Sequence, residues 1–200
     1  MEEIGFTSRL DEMLLEFDVA GGCMEFKAFK IDENTDLTHQ EIHSEVALCT
    51  VENDLLNEEN KKEFIESGRK VSLNDFFGNL VDIEKKQIIL RGKNNKWNKF
   101  YKHDIHEEVS VTYTNGGLGY AFFHTPYTLR FRDTVKEEGD FFFEFFSELL
   151  GNFNFLEIYE WSTAFSSYFD LGKEWWGEFY WTVYSYEKNQ FIGIIASTTD

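Results

Sequence analysis

Two histidines four residues apart, His39 and His43 in HQEIH, have the helical spacing of a metal-binding pair. Zinc hydrolases with a related motif carry their glutamate directly after the first histidine, which sets it beside the metal-bound water. Glu41 sits one position later, about 100° further round a helix, and points elsewhere. A second pair, His103 and His106 in HDIH with Asp104, has no recognisable third ligand either. Both pairs read as surface histidines, and no metal or other cofactor is expected. Gly116, Gly117 and Gly119 in NGGLGYAFF lack the following helix of a dinucleotide fingerprint and the Lys-Ser/Thr of a phosphate loop. No G-x-S-x-G elbow is present and neither cysteine lies in a catalytic signature, so no catalytic residue is assigned.

The remaining candidate is the stretch YFDLGKEWWGEFYWTVYS, residues 168–185, which holds three tryptophans and five other aromatic residues. If residues 174–185 form one strand, alternation puts Trp175, Gly177, Phe179, Trp181, Val183 and Ser185 on one face. That face is core. The other carries Glu174, Trp176, Glu178, Tyr180, Thr182 and Tyr184, acids mixed with aromatic rings that suit recognition, since Trp and Tyr give large rigid contact area. Either this face is half wet, or it packs under a phenylalanine-rich helix with its acids at the rim. A glycosidase needs two carboxyls some 5 to 10 Å apart, whereas Glu174 and Glu178 on one strand lie about 13 Å apart. That pair does not act alone.

The elements that hold these residues are legible in part. Residues 6–17 (FTSRLDEMLLEF) repeat apolar side chains at helical spacing behind Thr7 or Ser8 as N-cap. Gly21 and Gly22 end that helix, and residues 23–31 alternate as a strand. Residues 45–51 (EVALCTV) read as a second strand, and residues 57–67 as a capped helix stopped by Gly68. A helical turn within 73–81 leads to a strand at 87–91, a turn at 92–95 and a strand at 97–101. Residues 109–114 (VSVTYT) read as a strand that turns at Asn115-Gly116 and returns over 119–124. Residues 133–150 form the main helix, with phenylalanines at 141, 142, 143, 145 and 146 covering more than one stripe. The last fifty residues read as β, closing with a hairpin whose second arm spans 191–197. The fold class is therefore α+β, a mainly antiparallel sheet with a few helices and a C-terminal β-hairpin. With a single proline and no linker composition, residues 1–200 read as one domain.

At 42% hydrophobic and 18% aromatic, the chain can fill a core. Its net charge of −18 repels phosphates over most of any approach, so neither nucleic acid nor membrane is expected as a partner, while a basic protein would be attracted. Residues 85–102 are the exception, with seven basic residues and no acidic one. They read as a lysine-studded hairpin that resists edge pairing, or else as a small phosphate- or acid-binding patch. Two isolated cysteines and an N-terminus without a leader pattern point to the cytoplasm.

The tail EWSTAFSSYFDLGKEWWGEFYWTVYS followed by FIGIIASTTD resembles the C-terminal segments of small acidic bacterial proteins. In size, acidity and aromatic content the whole chain resembles the immunity proteins that neutralise toxins in bacterial competition. That likeness implies a non-enzymatic inhibitor of a basic protein partner. Its contact residues would be Trp176, Tyr180 and Tyr184 as anchors, with Glu160, Asp170, Glu174 and Glu178 as the acidic surround. The alternative is a carbohydrate-binding or carbohydrate-active protein that uses the same aromatic residues as stacking platforms.

Overall fold

The computed structural model describes residues 1–32, 36–51, 58–88, 117–125, 129, 132, 135–170 and 177–197. Several expectations fall outside these: the strands at 97–101 and 109–114, the turns at 92–95 and Asn115-Gly116, His103 and His106, most of the basic stretch, and residues 171–176, which include Glu174 and Trp176.

The first elements follow local signals. β1 (Glu2–Ile4) precedes α1 (Ser8–Val19), whose N-cap Thr7 accepts a hydrogen bond from the Leu10 N–H at 3.2 Å. Leu10, Met13 and Phe17 form its buried stripe, and Gly22 follows because a Cβ there would press into the Phe17 ring. β2 (Met24–Lys30) alternates as expected, with Met24, Phe26 and Ala28 all buried.

Residues 45–51 are not a strand. Residues 45–50 belong to α2 (His39–Thr50), with Val51 as its C-cap, and a capping box starts the helix: the Thr38 side chain accepts from the Glu41 N–H, while the Glu41 carboxylate accepts from the Thr38 N–H at 2.8 Å. The apolar residues of this stretch serve helix packing instead. Ile42, His43, Val46, Ala47 and Thr50 recur at helical spacing and are buried against the sheet.

α3 (Glu58–Ser67), β3 (Arg69–Lys70), α4 (Leu73–Phe77), β4 (Val81–Asp82) and β5 (Gln87–Ile88) come next. Residues 119–124, expected as the return arm of a hairpin, instead lie mostly within α5 (Gly117–Phe123). The glycines serve close approach here. A Cβ on Gly117, whose φ is +54°, would lie 2.6 Å from the Gly78 nitrogen, and one on Gly119 would lie 2.6 Å from Val81. α6 (Val135–Leu150) buries Phe141, Phe142, Phe143, Phe145 and Phe146, leaving a polar stripe through Lys136, Asp140, Glu144 and Ser147.

β6 (Leu156–Glu160), β7 (Phe179–Ser185) and β8 (Gln190–Ala196) complete the sheet, the last two as the expected hairpin. The order of its six strands is β1-β2-β8-β7-β6-β3 and each neighbouring pair is antiparallel, while β4 and β5 pair separately. The fold is α+β.

Register decides which residues share a face, because paired residues point the same way. Trp181 pairs with Ile194 and Glu160, and Val183 with Ile192 and Ile158. That face packs in the large core with α1, α4, α5 and α6. Tyr180 pairs with Ile195, Thr182 with Gly193 and Tyr159, and Tyr184 with Phe191 and Glu157. This second face lies under α2 and α3, in two smaller clusters. The sheet is thus covered on both sides.

Candidate functional site

α2 closes over the second face most tightly at Gly193. A Cβ there would fall within van der Waals contact of Thr50 Oγ1 and 2.8 Å from its Cβ, so only glycine lets the helix approach so near. Tyr180 lies beneath the same helix, 2% exposed, and its hydroxyl donates to the Ala47 carbonyl. One step towards the amino end of α2, His43 is 0% exposed and meets Thr182, with Nδ1 2.8 Å from Oγ1. The Trp161 indole N–H donates to the same hydroxyl at 2.9 Å. Thr182 can then give its own proton to Nδ1, which puts the His43 proton on Nε2, facing Glu157. Burial pulls the His43 pKa down to about 3, against the opposing pull of Glu157, so the ring is neutral near pH 7.

α2 begins at His39, and there its cover ends. Beyond it the sheet carries Tyr184, half-buried, then Tyr186 at 51% and Phe155 at 56% exposure. The Tyr186 N–H donates to the Phe155 carbonyl at 3.0 Å, so these two extend the β6–β7 ladder by one pair. The rings touch in sequence. Tyr184 stands 4.7 Å from Tyr186, 4.9 Å from His39 and 4.5 Å from Phe191 between centroids. Beside them lies a groove of about 250 Å³, floored by Ile31, Ile42 and Phe191 and edged by Asp32, Leu37, His39, Tyr184 and Asn189.

Glu157 is the polar centre of this end. One carboxylate oxygen accepts from Lys70 Nζ at 3.0 Å and from the Tyr186 hydroxyl at 3.1 Å. The other faces His39 Nδ1 at 3.6 Å and His43 Nε2 at 3.7 Å. Burial pushes this carboxyl up, but the hydrogen bond and charge of Lys70 and the hydrogen bond from Tyr186 hold it below the usual range. The hydrogen bond to Glu157 in turn raises Lys70, and Tyr186 is raised by burial and then by Glu157. His43 Nε2 makes no hydrogen bond. Among the described residues no three His, Cys, Asp or Glu side chains are grouped to hold a metal ion.

Only part of the expected surface assembles here. Tyr184 is in place, its hydroxyl donating to Asn189 Oδ1 at 2.8 Å. Tyr180, expected as an anchor, is core because α2 covers it. Glu160 belongs to the opposite face through its pairing with Trp181, and it is bound by Arg69. Asp170 is exposed just after the 3₁₀ turn Ser167–Phe169, and Glu178 is half-buried just before β7. Glu174 and Trp176 lie outside the described residues. Phe155, Glu157, Tyr186 and Asn189 were missed. Tyr186 continues the parity of Tyr180, Thr182 and Tyr184, and a register for β6 would have set Glu157 opposite Tyr184.

No protein-family model, curated protein or solved structure matches the chain.

Proposed function

We propose that this chain is a non-enzymatic, immunity-type binding protein of the bacterial cytoplasm that captures a basic toxin protein. The carrying observation is the pair of exposed rings, Phe155 and Tyr186, with half-buried Tyr184 against Tyr186, on a chain of net charge −18. The charge draws in a basic partner and speeds encounter, and the rings supply the desolvated anchors that slow release. Exposed Asp32 lines the groove beside Tyr184. The aromatic end keeps Tyr184 of the expected surface and leaves out Tyr180, which α2 covers.

The test pairs the purified protein with the toxin encoded beside its gene. Association should slow as salt is raised, and Tyr186→Ala should speed dissociation about tenfold or more if the ring is a hot spot. Salt-independent association together with unchanged dissociation overturns the reading. A second reading, carbohydrate binding, draws on the groove, where Tyr184 offers a stacking face beside Asp32 and Asn189. A glycan array decides between them, because a toxin inhibitor gives no glycan signal.

A further inference from the structure

The groove at the amino end of α2 has a size and lining that suit one class of occupant. At about 250 Å³ it is smaller than sites for drug-sized ligands, which run from roughly 300 to 1,000 Å³. One long side chain fills it better than an extended molecule. Its floor is apolar and its wall aromatic, with the Tyr184 and Phe191 rings 4.5 Å apart at 32° and His39 edge-on to Tyr184. Exposed Asp32 and Asn189 also line it, on a chain of net charge −18. An apolar floor takes a methylene stem, an aromatic wall takes a cation over its face, and a lining carboxylate pairs with the head. An anion would meet Asp32 and the field of the whole chain. The amino end of α2 offers it little, since the capping box of Thr38 and Glu41 already satisfies two N–H donors there.

We infer that this groove receives a single arginine side chain, the guanidinium stacked on Tyr184 and facing Asp32. Arginine suits it better than lysine because a planar guanidinium both stacks on a ring and pairs with a carboxylate. The inference rests on the basic-partner reading, since it names the residue such a protein would insert.

The experiment uses the full chain and Nα-acetyl-arginine amide, followed by NMR shifts of the His39 and Tyr184 ring protons. The neutral isostere Nα-acetyl-citrulline amide and methyl glucoside serve as controls. Saturable shifts with the arginine amide alone are expected, weakened about tenfold by Asp32→Asn, which removes a charge-assisted contact. Tyr184→Leu should abolish the stacking while leaving the groove apolar, and unchanged far-UV circular dichroism confirms that both variants fold. Absence of saturable shifts, equal binding of citrulline amide, or preference for the glucoside overturns the inference. The toxin takes no part in this titration, so failure here leaves the partner reading standing, and failed toxin capture is read separately.

Discussion

Between pH 7 and pH 5, His43 alone should withdraw about 2 kcal/mol of stability from this fold. In the unfolded chain an imidazole takes its proton near 6.5, whereas in the fold burial holds it off until about pH 3. The folded pKa is depressed, so the contribution is present above the unfolded value and is lost as pH falls from 6.5 towards 3. At pH 5 the unfolded state is almost fully protonated at this site and the folded state is not, and integrating the difference from pH 7 gives the figure above. The groups around the ring are Glu157 from β6, Lys70 from β3, and Thr182 and Tyr159 from the sheet, with His39 one turn away on α2. Glu157 is the only anion among them, and it does not overcome the burial. The raw pH curve hides this effect. Burial raises Glu138 to about 7, so over the same interval that carboxyl contributes a change of similar size and opposite sign. The readable quantity is a difference. Urea unfolding followed by the fluorescence of buried Trp161 and Trp181 should show wild type losing about 2 kcal/mol relative to His43→Gln and His43→Phe between pH 7 and pH 5. If both variants track the wild-type profile in parallel, the neutral buried histidine is wrong.

Four further outcomes follow. Glu138→Gln should stabilise the fold at pH 8 by up to about 3 kcal/mol and at pH 5 by only about 1 kcal/mol, because a raised carboxyl pKa gives stability below 4.5 that is lost as pH rises through 7; unfolding midpoints at the two pH values check this. Gly193→Ala should cost about 2 kcal/mol or more by forcing α2 off the sheet, and Thr50→Ala in the same chain should recover part of the loss in a double-mutant cycle. Thr182→Val should cost roughly 2 kcal/mol, since it leaves both the Trp161 N–H and His43 Nδ1 without their partner in the interior; the urea midpoint reads it directly. Tyr180→Phe should lower stability by about 1 kcal/mol and leave toxin dissociation unchanged, whereas Tyr186→Ala should do the reverse.

The parts of the fold that were legible are those where one local signal suffices. Thr7 before an apolar stripe, the glycines at 21 and 22, Gly68 after a short helix and the phenylalanines of α6 each marked an element that the structure contains. Two stretches misled for the same reason. EVALCTV and GYAFFH are short apolar runs, and composition alone does not separate a buried helix from a strand in such runs. What separates them is tertiary: Gly193 opens room for α2, and Gly117 and Gly119 let α5 press on α4 and β4. The first error had a consequence for the site. With EVALCTV taken as a strand, the phenylalanine-rich helix was set over the face of Tyr180. That helix lies on the opposite face with Trp181, and the unrecognised α2 covers Tyr180 instead.

The location of the candidate site then follows from the architecture. A sheet with helices on both faces has little side-chain surface left for recognition except where a helix stops short of the strands beneath it. α2 stops at His39, while the β6–β7 ladder runs on to Phe155 and Tyr186. The rings left bare there are buried aromatics by type and exposed only by that mismatch in length. The stops are set by different forces, the capping box of Thr38 and Glu41 for the helix and the β7–β8 turn for the strands. Lengthening α2 at its amino end should therefore cover the rings and stabilise the fold while weakening partner capture. A site retained only for packing would gain stability with no such loss.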